Sequence, residues 1–423
     1  MPPAVPKLPE AARRTGSTSW LVVVGVGVVA AAHIWKLPSA LYVIDAELGL
    51  GLVFSGVLLG MIQMASMVGG LVVAWSGERF GLRRLLMLGL VLLSVGSLCG
   101  AISPDATLLV VSRLIEGVGF LLCTVLAPAL IRLACEPRSL NTAMGAWGAF
   151  QGLATLIGFS LSALLLQWSG WRFLWAIMAL LTLAMLLPLA QRVPSDRRMQ
   201  AIPTSDSLNR ILATVRTGPP WLAGLVFACY TVQWMAVMSF LPSVYSTYGM
   251  TQLTAGLLSA AVGGINIVGA LVAGRLLHHG RGPIFLLVLC FIVMSVTSIG
   301  LFAVPWTIVE PGIAGALSCA LLFSMIGGMA PAILSRVAVD LAPPNGSVSA
   351  VIGLMQQLFN VGNFIGPFIL AWIAMRAGGW HASWVMTCGF SLLGILLALL
   401  LRPRVSALPG QVNLRETNIS RPI

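Results

Sequence analysis

The chain is poor in charged residues and poorest in acids. Only 9% of its 423 residues are charged, and 12 Asp and Glu stand against 24 Lys and Arg. A soluble domain of ordinary composition has about 25% charged residues, so this scarcity excludes a water-soluble globular protein. It also leaves few side chains for general acid–base catalysis, and we therefore expect no enzyme.

Paired cysteines and nucleotide-binding loops are also absent from the sequence. The seven cysteines are scattered without paired spacing, which argues against a disulfide framework, a zinc site or an iron–sulfur cluster. No Gly-Lys-Ser/Thr phosphate loop occurs, so ATP is not expected to drive the function. We predict no metal and no cofactor.

Long apolar runs fill most of the sequence instead. Hydrophobic residues make up 58% of the chain, and the mean hydropathy is +0.97. Because a spanning helix needs about 20 apolar residues, the sequence predicts an all-α membrane protein with twelve transmembrane helices. These spans are centred within 20–44, 52–75, 84–102, 108–131, 142–166, 171–190, 221–245, 253–277, 283–303, 312–335, 347–372 and 381–401.

Basic residues fall almost entirely in alternate connections between the predicted spans. Arg79, Arg83 and Arg84 join spans 2 and 3, for example, whereas Asp45 and Glu47 follow span 1. The positive-inside rule then places both termini in the cytoplasm, and we expect a bacterial inner membrane. The net charge of +12 follows this topology, so the lipid bilayer is the expected partner and nucleic acid is not.

The longest polar connection divides the chain into two parts. We predict cytoplasmic tails at 1–19 and 402–423, six-helix bundles at 20–190 and 221–401, and a cytoplasmic linker at 191–220. Gly170-Trp171-Arg172 at the start of span 6 and Gly379-Trp380-His381 at the start of span 12 form a faint repeat. Two pseudo-symmetric bundles are typical of secondary transporters whose central site opens to either side.

Two short motifs carry a family resemblance. The segment Ala74–Arg84 resembles the loop between helices 2 and 3 of the major facilitator superfamily, whose usual pattern is Gly-x-x-x-Asp-Arg-x-Gly-Arg-Lys/Arg. Glu78 stands where Asp is usual. The run from Arg113 through Glu116 to Gly119 resembles the helix 4 pattern of that superfamily, with Glu116 in the Gln position.

The resemblance implies a fold of two six-helix bundles and a transport cycle in which one bundle rocks against the other. It also implies a gating loop of Glu78, Arg79, Gly81 and Arg83, which stabilises one closed state through cytoplasmic contacts. Within the superfamily the overall character is similar to porters of small anions, including a cyanate-type branch. No residue of the chain establishes that branch.

Spans 1 and 4 carry charges deep in the membrane. At 1.5 Å per residue, Lys36 lies ~12 Å, Arg113 ~9 Å and Glu116 ~14 Å from the outer surface, with His33 on the Lys36 face. Each buried charge costs about 2.5–3.5 kcal/mol, so we expect the side chains to face an interhelical cavity.

These charges allow three interpretations. One is an ion pair that only joins the two spans. Another is a surplus positive charge that binds an anionic substrate, with Glu116 as the proton carrier; the third is a charge that serves coupling alone.

Polar uncharged residues complete the predicted substrate site. Gln356, Asn360 and Asn363 share one face of span 11, and Tyr230 and Gln233 lie on span 7. These amides can bond a substrate or a neighbouring helix, and Tyr230 can stack on a ligand or pack in the bundle. The predicted substrate-binding set is Lys36, Arg113, His33, Gln356, Asn360, Asn363, Gln233 and Tyr230.

Together these patterns predict a monomeric, proton-coupled secondary transporter of a small organic molecule or anion. One alternative is a multidrug or metabolite exporter of the same fold. The other is a membrane sensor or a membrane-embedded enzyme. The direction of transport stays open, because Leu153 stands where the helix 5 motif of exporters has Pro.

Overall fold

A computed structural model describes residues 10–135, 139–196, 207–344 and 346–406, and these residues form helices without any strand. Twelve of the helices are long and apolar enough to cross a membrane. The predicted all-α fold with twelve spans is therefore confirmed. Residues 1–9, 197–206 and 407–423 of the predicted tails and linker lie outside the described residues.

The spans are numbered along the chain, and several consist of two helical segments. Spans 1–6 are Glu10–Leu48; Leu52–Gly60 with Met64–Phe80; Leu82–Ala101; Ala106–Ala134; Leu140–Gly148 with Phe150–Trp168; and Trp171–Ala184 with Leu186–Arg192. After a linker helix, Ser207–Val215, spans 7–12 are Gly218–Thr247; Gln252–Gly264 with Asn266–His278; Pro283–Ala303; Ile313–Gly327 with Met329–Asp340; Val348–Ala377; and Trp384–Ser406. We call spans 1–6 the N-terminal half and spans 7–12 the C-terminal half.

The breaks inside the spans have local causes. Span 6 is interrupted at Met185, where the ring of Pro188 clashes with the carbonyl group four residues earlier and offers no N–H. Span 8 is interrupted before Asn266 and span 10 before Met329. The two interruptions are in contact: Asn266 Nδ2 donates to the main-chain oxygen of Ser324 at 2.9 Å. A Cβ at Gly328 would lie 2.1 Å from the oxygen of Asn266, so only glycine permits this approach.

Large apolar side chains cover the outside of the helix bundle. Val68 is 76% exposed, Val296 64% and Leu187 63%, whereas Trp171 and Trp175 are 1% or less exposed. Backbone polar groups inside the spans are satisfied within helices, as hydrocarbon requires. The structure thus presents apolar side chains to lipid and encloses its polar ones.

Several pairs of spans join the two halves. Gln252 Nε2 of span 8 donates to the main-chain oxygen of Ser39 on span 1 at 3.1 Å. A Cβ at Gly56 of span 2 would lie 2.7 Å from the oxygen of Pro367 on span 11, and one at Gly256 of span 8 would lie 2.6 Å from Cβ of Ala163 on span 5. All these contacts lie toward the span ends predicted to face outward, so the structure is closed on that side.

Candidate functional site

Four polar side chains of spans 1 and 4 form a buried group, which we call the charge cluster: His33, Lys36, Arg113 and Glu116. All four are 0% exposed. Lys36 Nζ donates to Glu116 Oε1, and Arg113 Nη1 lies 2.5 Å from Glu116 Oε2. The structure therefore brings together the residues that the sequence placed at one depth, with the carboxylate held between two cations.

Spans 3 and 6 enclose the charge cluster. Lys36 Nζ donates to Ser97 Oγ at 2.7 Å, and Ser97 Oγ donates to the main-chain oxygen of Trp175 at 2.8 Å. Lys36 Nζ also lies 4.6 Å from the ring centroid of Trp175, within the range of a cation–π interaction. No sequence pattern predicts these two contacts, because Ser97 and Trp175 stand as single residues in apolar runs.

Hydrogen-bond directions assign the protonation of His33. Thr182 Oγ1 donates to the main-chain oxygen of Met178 at 2.7 Å, so it accepts from His33 Nε2, which lies 2.7 Å away. His33 Nδ1 accepts from Lys36 Nζ at 3.1 Å. His33 is thus a neutral imidazole with its proton on Nε2, and the three ammonium protons of Lys36 each have an acceptor. With His33 neutral, the charge cluster carries one surplus positive charge.

Arg113 has hydrogen-bond donors that nothing in the structure uses. Its Nη1 donates to Glu116 and, at 3.0 Å, to the main-chain oxygen of His33. Its Nε and Nη2 are buried without a partner. Buried polar groups are almost always paired, and an exception needs an explanation. A carboxylate or another small anion is the group that a guanidinium with free N–H donors binds best.

The charge cluster lies inside the N-terminal half and away from its boundary with the C-terminal half. Its partners come from spans 1, 3, 4 and 6. Trp35, on the opposite face of span 1, reaches the boundary: its ring centroid lies 5.2 Å from that of Phe159 and 5.5 Å from that of Trp234. The sequence predicted side chains that face a cavity, whereas in this conformation the space around them is filled by neighbouring helices.

The three amides of span 11 have different surroundings. Asn360 is 5% and Asn363 3% exposed, whereas Gln356 is exposed. Asn360 Nδ2 donates to the main-chain oxygen of Gln356 at 2.8 Å, and Asn363 Oδ1 is buried without a partner. The face predicted from the spacing thus contributes two enclosed amides and one that is exposed.

The candidates on span 7 are bonded within the C-terminal half. Gln233 is 0% exposed, donates to the main-chain oxygen of Cys229 at 2.8 Å and accepts from Ser391 Oγ at 2.8 Å. The hydroxyl group of Tyr230 accepts from Asn266 Nδ2 at 3.3 Å. These polar groups join spans 7, 8 and 12, which matches the helix-packing alternative raised by the sequence.

The loop between spans 2 and 3 is bonded to the end of span 6. Gly81 has φ +97°, a left-handed conformation that favours glycine. The carboxylate of Asp196 accepts from the main-chain N–H of Arg83 at 2.9 Å and of Arg84 at 3.1 Å, and so caps the first turn of span 3. Arg83 Nη2 also donates to the main-chain oxygen of Ala190 at 2.6 Å.

The other predicted loop side chains are those of Arg79 and Glu78. Arg79 is exposed at the end of span 2, 5.7 Å from the ring centroid of Phe80, and the side chain of Glu78 is not described. No sequence pattern predicted the role of Asp196. It is one of two acids in the basic linker, with Asp206, and nothing in the spacing distinguishes them.

Metal-ligating side chains are not grouped in the part of the chain that the structure describes, where no three His, Cys, Asp or Glu residues come together. Its seven cysteines are free thiols. The described site is therefore built from charges, amides and aromatic rings.

Comparison with known proteins gives related transporters. The chain is 26% identical over 284 residues to the cyanate transport protein CynX of Escherichia coli. This alignment covers 64% of this chain and 71% of that protein. It is 24% identical over 362 residues to the tetracenomycin C resistance and export protein of Streptomyces glaucescens, over 71% of this chain and 65% of that protein.

Solved structures of transporters share the fold. A D-xylose-proton symporter superimposes with a TM-score of 0.74 at 18% identity, over 90% of this chain and 96% of that one. A bacterial homologue of the lysosomal transporter Spinster, inward-facing and unoccupied, gives a TM-score of 0.77 at 14% identity, over 94% and 98% of the two chains.

A sequence profile of the Major Facilitator Superfamily matches residues 23–359. This match covers most of the chain, and it agrees with the twelve spans and with the two motifs of spans 2 to 4. The protein is therefore a multi-pass membrane transporter and not an enzyme. The chain belongs to the major facilitator superfamily.

Proposed function

We propose that the protein is a proton-coupled secondary transporter of a small organic anion, working as a monomer in a bacterial inner membrane. Both termini are cytoplasmic in this proposal. The bundles 20–190 and 221–401 rock against each other, so that the site opens to one side at a time. Superfamily membership supports the transport mechanism, and the charge cluster supports the substrate class and the coupling.

The observation that carries the proposal is the surplus positive charge of the charge cluster, together with the free donors of Arg113. Lys36 and Arg113 face a single carboxylate, and all three are 0% exposed. Burial of an uncompensated charge is costly, so a bound anion would stabilise the cluster. The unpaired Nε and Nη2 of Arg113 supply the hydrogen bonds for it.

Proton coupling follows from competition for the same cations. A substrate anion on Arg113 and Lys36 displaces Glu116, and a displaced carboxylate in a water-poor site takes up a proton. His33 Nδ1, 3.4 Å from Glu116 Oε1, is a second group that can hold the proton once Lys36 moves away. Anion and proton then cross together without net charge.

The gating loop is part of the proposal. Glu78, Arg79, Gly81 and Arg83 stabilise one closed state, and the bonds from Arg83 to Asp196 and Ala190 hold the loop against the end of span 6. Glu78→Ala is expected to shift the balance between the open and closed states. Unchanged transport together with unchanged labelling of cysteines on the cytoplasmic side would contradict this role.

Uptake into proteoliposomes tests the proposal. Radiolabelled cyanate and a panel of small carboxylates are offered under an imposed pH gradient, with CynX as the reason to include cyanate. Gradient-driven accumulation of one of these anions is expected. Glu116→Gln is expected to abolish accumulation and to retain exchange of substrate for substrate, because exchange needs no net proton movement.

Two further variants make the uptake test decisive. Glu47→Gln changes an acid paired with Arg172 near the outer surface and is expected to transport like the wild type. The double variant Lys36→Met, Glu116→Gln keeps the net charge of the cluster and, if Glu116→Gln does not fold, is compared with Lys36→Met alone, because Lys36 is itself part of the anion site. Accumulation that persists in Glu116→Gln would exclude Glu116 as the proton carrier.

Export of an apolar compound is the second candidate function. The aromatic boundary of Trp35, Phe159 and Trp234 and the similarity to a tetracenomycin C export protein favour it. Thermal shifts of the purified protein with organic acids and with cationic drugs separate the two functions. Stabilisation by drugs alone would favour export.

A further inference from the structure

Gln63 is a buried amide that the proposed charge cluster does not use. It ends the 3₁₀ turn Met61–Gln63 in the middle of span 2 and is 1% exposed. Its Oε1 has no hydrogen-bond partner. A buried carbonyl oxygen without a donor costs free energy, so the position calls for a group that the chain itself does not provide.

Gln63 lies where span 2 of the N-terminal half meets span 11 of the C-terminal half, a contact that we call the seam. A Cβ at Gly60, one turn before Gln63, would lie 2.5 Å from the main-chain oxygen of Phe364 on span 11. A Cβ at Gly70 would lie 3.5 Å from Cγ of Gln357. Spans 2 and 11 run antiparallel between these two contacts, which places Gln63 beside the turn of span 11 that holds Asn360 and Asn363.

The second unpaired amide lies on the opposite side of this seam. Asn363 directly precedes Phe364, is 3% exposed, and has a buried Oδ1 without a partner. Asn360, one turn before Asn363, already donates to the main-chain oxygen of Gln356. Amides that served to bond spans 2 and 11 would have their carbonyl oxygens paired across the seam, and these two do not.

The seam reaches the depth of the charge cluster. A Cβ at Gly117 of span 4 would lie 2.9 Å from the main-chain oxygen of Ile62. Gly117 directly follows Glu116, and Ile62 directly precedes Gln63. The unpaired amide of Gln63 and the unpaired donors of Arg113 therefore lie at a similar depth, on the touching spans 2 and 4, and spans 2 and 11 separate whenever the halves rock apart.

We propose that Gln63 and Asn363, with Asn360 beside them, form an uncharged subsite that binds a hydrogen-bond donor of the substrate. This inference rests on the proposed anion site and refines it. Two carbonyl oxygens accept an O–H or N–H group, and the seam amides carry no charge that would select a cation. The substrate class is a small hydroxy acid or acid amide, whose anionic group pairs with Arg113 and whose neutral donor pairs with the amides.

Cysteine labelling tests whether the seam belongs to the transport path. In a cysteine-free form of the full chain, Gln63→Cys and Asn363→Cys are treated with sulfonatoethyl methanethiosulfonate, an anionic reagent that does not cross membranes. Val68→Cys, on the lipid-facing side of the same span, is the control. Thiolates react in water and not in hydrocarbon, so both seam positions are expected to label faster than the control. Labelling no faster than at Val68→Cys overturns the subsite.

Unfolding separates a subsite from a packing contact. If the amides pack the halves together, Gln63→Leu and Asn363→Leu lower Tm. If the amides bind a ligand and do not pack the halves, the leucine variants only remove an unpaired buried carbonyl group, and Tm stays unchanged or rises. A fall of Tm in both leucine variants overturns the proposal.

Two acids test the donor, because one carries a hydroxyl proton where the other carries a methyl group. Glycolate carries a carboxylate and an O–H group, whereas methoxyacetate carries the same carboxylate without the donor. Glycolate is expected to raise Tm of the wild type more than methoxyacetate does, and Gln63→Leu is expected to erase the difference. Equal shifts from both acids overturn the donor subsite alone, whereas no shift from either acid overturns the anion site as well.

Discussion

Arg113 Nη1 lies 3.0 Å from the main-chain oxygen of His33, so the guanidinium of span 4 is bonded to the backbone of span 1. The same nitrogen donates to Glu116, which also accepts from Lys36. One acid therefore compensates two cations and joins two spans. Loss of a cation leaves the acid with a partner, whereas loss of the acid leaves two cations facing each other.

Glu116→Gln is expected to lower the free energy of unfolding by about 3–5 kcal/mol, the usual cost of breaking a buried ion pair. Lys36→Met is expected to cost less, because Arg113 still pairs with Glu116. Titration with a denaturing detergent measures both. Glu47→Gln is the control: its pair with Arg172 is about 40% exposed, and exposed pairs contribute about 0–1 kcal/mol. Equal losses in Glu116→Gln and Glu47→Gln would contradict the arrangement.

His33→Phe and Thr182→Val are expected to be strongly non-additive. Either change breaks the bond between His33 Nε2 and Thr182 Oγ1, so the double variant loses it only once. The coupling measured in a double-mutant cycle of unfolding free energies is expected within the range of about 0.5–3 kcal/mol for residues in one network. Additive losses would mean that the two side chains are not bonded as described.

Gly81→Ala is expected to destabilise the protein more than Gly280→Ala. Both glycines have positive φ, 97° and 77°, and alanine pays about 1–2 kcal/mol for that conformation. At Gly81 a Cβ would also lie 2.4 Å from Cγ of Asp196, whereas at Gly280 nothing lies within 4 Å. The additional loss of unfolding free energy in Gly81→Ala measures the contact between Gly81 and Asp196, the residue that caps span 3. Asp196→Gly, which removes the side chain that this Cβ would meet, is expected to reduce the difference, and equal losses in both alanine variants would refute the contact.

Gly60→Ala is expected to open the outer side of the transporter. Its Cβ would lie 2.5 Å from the oxygen of Phe364, and overpacking of this kind costs about 1–3 kcal/mol in the closed conformation only. Cysteine accessibility from the outer side measures the shift in population. Gly145→Ala, where nothing lies within 4 Å, is expected to leave accessibility unchanged. An unaltered pattern in Gly60→Ala would show that the seam does not set the closed state.

The positions of the spans could be predicted because a membrane helix needs only a long apolar run, and each run is visible in the sequence. The common depth of Lys36, Arg113 and Glu116 could be predicted for the same reason, since the rise per residue is fixed. Asp196 could not be found in this way. Its bond to the backbone of Arg83 joins residues that are far apart in the sequence, and no local pattern encodes it.

The sequence also did not predict which neighbouring helix each polar side chain faces. Gln233 and Asn363 were both predicted to bind substrate, Gln233 as a single amide and Asn363 as part of the polar face of span 11. The structure gives Gln233 two partners and leaves Asn363 Oδ1 without one. Ser97 and Thr182 looked like ordinary small residues, yet they complete the hydrogen bonds of Lys36 and His33.

Hydrophobicity and charge along the chain by themselves determined that this protein crosses a membrane twelve times and carries opposite charges deep within it, because lipid penalises every polar group by its depth alone. Tertiary packing decided which helices surround those charges, which amides stay unpaired and which side is closed. Those outcomes depend on contacts between residues distant in sequence, where a glycine or a serine matters only through what lies opposite.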